Sequence, residues 1–134
     1  IGDIAKAAEA AGADAISAIN TVGPGMVIDL KSRKPILGNK EGGVSGPGIR
    51  PVAVRCIYDI YKSVKIPIIG MGGIETGKDA VELMLAGATI VGVGSAIYRH
   101  GYQIIEKIKA DFVAYLKSNK LKSSKSLIGG SHRV

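Results

Sequence analysis

Three short runs of small or polar residues, each at the end of an apolar stretch, could bind a ligand. They are Asn20 with Thr21, Gly72 with Gly73, and Gly94 with Ser95. Glycine lets the main chain approach a ligand closely, and free N–H groups at the start of a helix can hold phosphate oxygens. The two glycine-containing pairs together favour a phosphorylated cofactor, a sugar phosphate or a nucleotide. For either pair alone, a tight end to a strand is an equally good interpretation.

The elements around these pairs alternate between strand and helix. Apolar runs predict buried strands at residues 13–19, 66–70 and 88–93. Apolar residues at helical spacing predict helices within 4–11, 53–64, 80–85 and 105–116, and glycines follow the first and third of them. Residues 22–46 show no sustained period and are predicted to form a long functional loop.

This alternation predicts an α/β fold in which helices cover a parallel sheet, either a closed (β/α) barrel or a doubly wound sheet. Active sites of barrels lie at the carboxyl ends of the strands, where all three pairs fall. Three strands cannot close a barrel. We therefore predict a partial (β/α)8 TIM barrel, approximately its last three βα units, from a domain that normally has about 250 residues.

The composition bounds the remaining possibilities. With 134 residues, 46% of them hydrophobic, the chain can form one compact domain or a piece of a larger one. The net charge of +7 is concentrated after residue 106, where seven Lys or Arg accompany the single acid Asp111. Aromatic residues do not alternate with these charges, which favours a solvated helix face and tail over nucleic-acid binding.

The single cysteine and the hydropathy pattern also exclude some classes of protein. Cys56 is alone, so neither an intrachain disulfide nor a cysteine-rich metal site is expected. No apolar run approaches the roughly 20 residues of a membrane helix, and a cytoplasmic location is expected. The start at Ile1 resembles neither a signal peptide nor an initiation site, so we expect the natural chain to extend upstream.

Four segments, in this order and spacing, resemble the dihydroorotate dehydrogenase family. They are ADAISAINT (13–21), RKPIL (33–37), GGVSGP (42–47) and IIGMGGI (68–74). The resemblance is strongest to the NAD-linked class 1B catalytic subunit, because Asn-Thr followed by Gly-Gly-Val-Ser-Gly is typical of that class rather than of the fumarate-linked form.

The resemblance implies an FMN-binding barrel of which residues 1–134 are the C-terminal part. It implies oxidation of dihydroorotate to orotate in pyrimidine biosynthesis, with hydride transfer to FMN. It also implies a homodimer of catalytic subunits that works with an iron-sulfur and FAD electron-transfer subunit.

The resemblance also assigns roles to individual residues. It implies flavin contacts by Ile19 and Gly46, and substrate contacts by Asn20 and Thr21. The FMN ribityl phosphate region would be bound by Gly72, Gly73, Gly94 and Ser95. The family often has threonine where Ser95 stands, but serine keeps the hydroxyl donor. Around Gly23-Pro24-Gly25 the chain is one residue longer than the family pattern.

No catalytic residue is expected within this chain, because the resemblance places the base, a cysteine, on an upstream loop. The 134-residue chain alone is therefore expected to be inactive. Cys56 falls on the apolar face of a predicted helix, where a buried thiol usually has a packing role. His100 and His132 are interpreted as surface or structural residues, since no acidic or nucleophilic partner is recognisable beside them in the sequence.

Two other functions are compatible with parts of the pattern. A barrel isomerase or synthase could bind a sugar phosphate through the same glycines, although the Asn20-Thr21 and Ser-Gly-Pro segments argue against it. A non-catalytic domain could pair with another chain, because an incomplete barrel exposes unpaired strand edges.

Overall fold

The computed structural model describes residues 1–133, which form an α/β fold around a parallel sheet. Its helices are α1 (Gly2–Ala10), α2 (Arg50–Ser63), α3 (Gly77–Ala86), α4 (Ser95–His100) and α5 (Ile104–Ser118). Its strands are β1 (Ile16–Ala18), β2 (Val22–Gly25), β3 (Ile28–Asp29), β4 (Lys34–Pro35), β5 (Gly42–Val44), β6 (Ile68–Met71) and β7 (Ile90–Gly92).

The three predicted strands are confirmed, and they form one parallel sheet in the order β1-β6-β7, but β7 is not buried as predicted, because Ile90 is 58% exposed. In this register Ala18 pairs with Gly70, and Gly70 pairs with Val91. All three strands therefore end at the same edge of the sheet. The segments that follow them must lie side by side.

The core lies between the sheet and the helices α2 and α3. Its most deeply buried large side chains are Ile57, Ile60, Ile68 and Leu83. Gly70 allows close packing here, because a Cβ at this position would lie 2.7 Å from the Cβ of Ala88. Helix α3 ends before Gly87, as the sequence predicted, and begins with a Thr76 capping box.

The prediction that residues 22–46 form an irregular loop is wrong in part. Strand β2 pairs antiparallel with β5, and β3 pairs antiparallel with β4. Val22 pairs with Val44 and Gly25 with Gly42, so β2 has one residue more than β5 between these pairs. The extra residue produces a register shift typical of a β-bulge between Val22 and Gly25. Short two-stranded ribbons carry little hydrophobic periodicity, which is why the pattern did not reveal them.

The predicted apolar face of α1 is also wrong. The sequence pattern pointed to Ile4, Ala7, Ala8 and Ala11, yet Ile4 is 74% exposed and the buried residue of this helix is Ala5. Ile4 and Ala8 instead line an apolar groove that runs along the free side of β1. The pattern identified an apolar stripe correctly but not the surface that it faces.

Helix α2 matches its prediction closely. Pro51 lies in the first turn, and Ala53, Ile57 and Ile60 are buried. Cys56 is half-buried. The six-residue helix α4 was not predicted, because it is too short for a helical period to show.

Within residues 1–133, none of the helices combines the length and the apolar character needed to span a bilayer.

The C-terminal segment caps the end of α3. The N–H of Gly129 donates to the carbonyl of Met84 at 3.0 Å, Ser131 Oγ donates to Leu85 at 2.7 Å, and His132 Nε2 donates to Ala86 at 2.9 Å. The Leu85 and Ala86 carbonyls belong to the last turn of the helix, where the helix supplies no donor, and the Met84 carbonyl also accepts from the Gly87 N–H. The tail therefore completes the hydrogen bonding of α3.

His132 also packs against α2. Its ring is stacked on Tyr58 at 3.8 Å between centroids and lies 4.7 Å from the ring of Tyr61. This contact supports the structural interpretation of His132. The residue joins the end of α3 to the middle of α2.

We predict that His132→Ala lowers the free energy of unfolding of the complete protein by about 1–3 kcal/mol, because a carbonyl loses its donor and two rings lose a packing partner. Urea titration followed by circular dichroism measures the change. His132→Phe should restore part of the stability by keeping the stack. Lys122→Ala, at an exposed tail residue, is the control and should change little. Equal stability of H132A and the unsubstituted protein would contradict this account of the tail.

Candidate functional site

A pocket of about 420 Å³ opens at the carboxyl edge of the parallel sheet. All eight residues that the sequence analysis singled out line it: Ile19, Asn20, Thr21, Gly46, Gly72, Gly73, Gly94 and Ser95. They come from the ends of three strands and from the segment between β5 and α2. Its volume is within the range of small-molecule and cofactor sites.

The segment after β1 supplies one wall of the pocket. The Ile19 N–H donates to the Met71 carbonyl at 3.0 Å, which extends the pairing of β1 with β6 by one residue. Asn20 Oδ1 accepts from the Thr21 N–H at 2.8 Å. This hydrogen bond uses only the oxygen of the Asn20 amide, so the N–H donors of Nδ2 are available for a ligand.

Gly43 makes room for Thr21. A Cβ at Gly43 would overlap the Thr21 side chain, so the glycine in the GGVSGP segment is needed to seat this threonine. The motif therefore contributes to the pocket through packing as well as through Gly46.

The Gly72–Gly73 turn follows β6, and both residues have positive φ, +134° and +72°. A Cβ at Gly72 would lie 2.5 Å from the Cβ of Ala53, and a Cβ at Gly73 would lie 2.8 Å from the carbonyl oxygen of Gly46. Neither position tolerates a side chain, because the backbone conformation and the protein around it both oppose one. The protein itself therefore requires glycine at both positions, whether or not a ligand binds.

Gly46 lies on the opposite side of the turn. It has a φ of +92° and caps a short 3-10 helix, Pro47–Ile49, which leads directly into α2. Arg99 Nη1 lies 3.7 Å from the position that a Cβ of Gly46 would take. Gly46 thus lies between the turn after β6 and Arg99 of helix α4.

Gly94 and Ser95 follow β7 and begin helix α4. Unlike the glycines of the preceding turn, Gly94 has a negative φ of −120°, and a Cβ there would meet no protein atom within 4 Å. The absence of a side chain at Gly94 therefore has no packing explanation. A ligand that approaches the backbone closely would provide one.

Six residues that were not predicted also line the pocket: Ser17, Ser45, Ile49, Met71, Ile74 and Gly92. Strand periodicity could have identified two of them, because Ser17 is two residues before Ile19 and Gly92 is two residues before Gly94. Gly92 in turn makes room for Met71, whose Sδ would lie 2.8 Å from a Cβ at that position.

No side chain that lines this pocket in the described part of the chain is charged, but two ion pairs lie behind it. Arg50 Nη1 contacts Asp79 Oδ1 at 2.5 Å, and Arg99 Nη1 lies 3.3 Å from Glu75 Oε1. The first pair joins the starts of α2 and α3, and the second joins α4 to the segment before α3.

His100 Nε2 lies 3.7 Å from Glu75 Oε1, so this histidine does have an acidic neighbour. The sequence showed none because Glu75 precedes α3, whereas His100 is the last residue of α4. The ring is 45% exposed, which agrees with a surface position.

Other reactive groups do not gather into a second site. Within residues 1–133, no three His, Cys, Asp or Glu side chains come together as a set of metal ligands. Hydrogen bonds from Ser32 and from the Lys31 N–H lower the pKa of Asp29, but this carboxylate only stabilises the turn between β3 and β4. Cys56 does not line the pocket.

The fold and the site together define an α/β protein with a glycine-rich pocket at the carboxyl edge of a parallel sheet. The family model described as "Dihydroorotate dehydrogenase" matches residues 1–116. The chain belongs to the dihydroorotate dehydrogenase family.

Relatives from several organisms agree with this assignment. The chain is 48% identical to a protein of Methanothermobacter thermautotrophicus over 97% of its own length and 43% of the relative. It is 47% identical to a Pyrococcus abyssi protein over 100% and 44%, and 52% identical to a Carboxydothermus hydrogenoformans protein over 96% and 41%. All three relatives are named dihydroorotate dehydrogenase B (NAD(+)), catalytic subunit. The chain thus spans less than half the length of these relatives.

Solved structures give the same result. The ligand-free dihydroorotate dehydrogenase of Eimeria tenella superposes with a TM-score of 0.81 at 29% identity, covering 99% of this chain and 36% of that one. The same enzyme in complex with ferulenol superposes with a TM-score of 0.79. These similarities argue against the alternative of a barrel isomerase or synthase.

Replacing Gly72 and Gly94 by alanine in the complete protein should separate packing from ligand approach. We predict that Gly72→Ala destabilises by about 2 kcal/mol or more, because its φ is positive and Ala53 blocks the Cβ. Gly94→Ala should leave the melting temperature nearly unchanged and weaken retention of the bound ligand. Thermal melts and the ligand content after dialysis measure the two effects. Full ligand retention by a stably folded G94A would show that Gly94 is not at the ligand.

Proposed function

We propose that this chain is the C-terminal part of the FMN-binding barrel of a class 1B dihydroorotate dehydrogenase. The whole enzyme would oxidise dihydroorotate to orotate in pyrimidine biosynthesis. The observation that carries the proposal is the single pocket lined by all eight residues implied by the family resemblance. The reaction is inferred from family membership, and the pocket is the proposed site of that reaction.

The residues present fit FMN. Gly46, Gly72, Gly73 and Gly94 leave backbone close to the cavity, and the Ser95 hydroxyl can donate to a phosphate oxygen. We assign the ribityl phosphate to Gly72, Gly73, Gly94 and Ser95, and flavin contacts to Ile19 and Gly46. When bound, FMN supplies the acceptor for the hydride that leaves dihydroorotate.

The other pocket residues would bind the substrate and exclude water. The Asn20 Nδ2 donors take no part in the hydrogen bond from the Thr21 N–H to Asn20 Oδ1 and can contact carbonyl or carboxylate oxygens of the pyrimidine. The Thr21 hydroxyl is the second candidate for substrate contact. Ile19 and Met71 add apolar surface, which keeps the ring in a drier environment and favours a fixed orientation.

The proton acceptor for the reaction would come from a part of the protein outside these 134 residues. Cys56 is half-buried in α2 and does not line the pocket, so it does not take this role. We assign no catalytic base within the chain.

An incomplete barrel accounts for the apolar groove beside β1. The groove is lined largely by alanine and isoleucine, including Ile4, Ala8 and Ile16, and β1 has a free edge. An unpaired edge and an apolar groove are what a barrel would show if its preceding strands and helices were taken away. We propose that the chain contributes the last three βα units, with the rest of the barrel covering this face.

The proposed partners follow from the relatives, which are named as catalytic subunits of an NAD(+) enzyme. An iron-sulfur and FAD subunit would carry electrons from the flavin to NAD. We also propose a homodimer of catalytic subunits and a cytoplasmic location. The ribbons at residues 22–46 have several exposed apolar side chains, among them Leu30 at 88% and Ile36 at 61%, and offer a surface for subunit contact.

We predict that Asn20→Ala in the complete enzyme keeps its FMN but loses at least tenfold in kcat/KM for dihydroorotate. Removing donors to a desolvated ring costs roughly 1–3 kcal/mol for each unpaired group. FMN content from the absorbance spectrum and titration with orotate separate the two functions. Asn119→Ala, at the end of α5, is the control. Normal orotate binding with depleted FMN would instead place Asn20 beside the cofactor.

We further predict that the isolated 134-residue chain does not oxidise dihydroorotate, because the base and much of the flavin pocket lie elsewhere. An anaerobic assay with added FMN and an artificial electron acceptor tests this. Turnover by the isolated chain would disprove the proposed division of the site. A complete protein that binds FMN yet never reduces it would favour the non-catalytic alternative.

A further inference from the structure

Asp79 is a charged side chain buried behind the pocket, with only 7% of its surface exposed. Its Oδ2 accepts hydrogen bonds from the N–H groups of Glu75 at 3.0 Å and Thr76 at 2.8 Å. Its Oδ1 contacts Arg50 Nη1 at 2.5 Å. Three donors therefore converge on one carboxylate that does not itself line the pocket.

The segment held by Asp79 is the continuation of the Gly72–Gly73 turn. Glu75 and Thr76 follow Gly73 by two and three residues, and Thr76 Oγ1 accepts in return from the Asp79 N–H at 3.3 Å. This capping box fixes the start of α3 relative to the turn. The turn can shift little while these hydrogen bonds persist.

Arg50 links the same carboxylate to the other side of the pocket. It is the first residue of α2 and follows the 3-10 helix capped by Gly46. Its backbone N lies 3.1 Å from the position of a Cβ at Gly73, and its Nε also contacts Glu82 at 3.0 Å. The Arg50–Asp79 pair thus joins the loop of Gly46 to the loop of Gly72–Gly73.

Stability alone is a weak reason for this arrangement. Burying an ion pair has a desolvation cost that often cancels its attraction, and apolar residues of similar size can stabilise equally well. A charged pair with directed hydrogen bonds, by contrast, fixes two backbone segments in one geometry. A role in positioning the glycine loops explains both the burial of the charged pair and its directed hydrogen bonds.

We propose that Asp79, acting through Arg50, is a positioning residue for the phosphate end of the cofactor site. It sets the separation between Gly46 and Gly72–Gly73, so that the backbone N–H groups converge on the phosphate. The inference rests on the proposed function, because that function identifies the ligand as FMN. Asp79 and Arg50 would thus position the cofactor site without touching the cofactor.

The test compares FMN with riboflavin, which has the same ring system but no phosphate. Apoprotein of the complete enzyme is titrated with each flavin, and flavin fluorescence gives both dissociation constants. For D79N and R50Q we expect FMN binding about tenfold weaker or more, with riboflavin binding within about twofold of the unsubstituted protein. The preference for FMN over riboflavin should therefore fall by about the same factor as FMN affinity.

The controls distinguish positioning from general loss of structure. Arg55→Gln breaks an exposed ion pair with Asp59 on the same helix and should leave the preference unchanged. If D79N does not fold, R50Q carries the test, because Asp79 then keeps its two backbone donors. Arg50→Lys keeps the charge and should restore part of the preference.

Two results would overturn the inference: equal weakening of FMN and riboflavin in the R50Q protein, or an unchanged preference. The proposed function itself would fail if the unsubstituted protein bound FMN no better than riboflavin.

Discussion

The parallel register of β1, β6 and β7 determines where the three strand ends that form most of the pocket lie. Because Ala18 pairs with Gly70 and Gly70 pairs with Val91, the three strands end at one edge. The residues that follow each strand are therefore brought to one pocket. Register depends on the packing of the core, and Gly70 is part of it, since a larger residue would push Ala88 and the neighbouring helix outward.

The glycines at this edge have two physical origins that the sequence does not distinguish. Gly72 and Gly73 are required by the protein itself, through positive φ and through the closeness of Ala53 and the Gly46 carbonyl. Gly94 has neither constraint, so its lack of a side chain points to a ligand. A glycine-rich turn therefore indicates a binding site most directly where nothing in the protein explains the glycine.

Local patterns predicted the elements that bury a continuous apolar face, and the pairs at their ends. Helices α2 and α3 and the three parallel strands follow from periodicity, and so does the convergence of Asn20 with Gly72–Gly73. Surfaces that depend on distant parts of the chain could not be predicted in this way. The stripe of α1 faces a groove rather than the core, and Glu75 meets His100 only because the end of α4 lies against the segment before α3 in the fold. The Arg50–Asp79 pair is separated by 29 residues, and the capping-box pattern that includes Asp79 gives no indication of Arg50.

The distribution of charge explains why rigidity matters at this site. No charged side chain lines the pocket in residues 1–133, and the nearby arginines Arg50 and Arg99 are each engaged by carboxylates. A phosphate bound here would depend on backbone N–H groups and a serine hydroxyl. Such neutral donors act over short distances and only in good alignment, whereas a mobile lysine or arginine side chain could adjust to the ligand. Recognition by neutral donors therefore requires that the loops be held in place beforehand, and the ion pairs behind the pocket are placed to hold them.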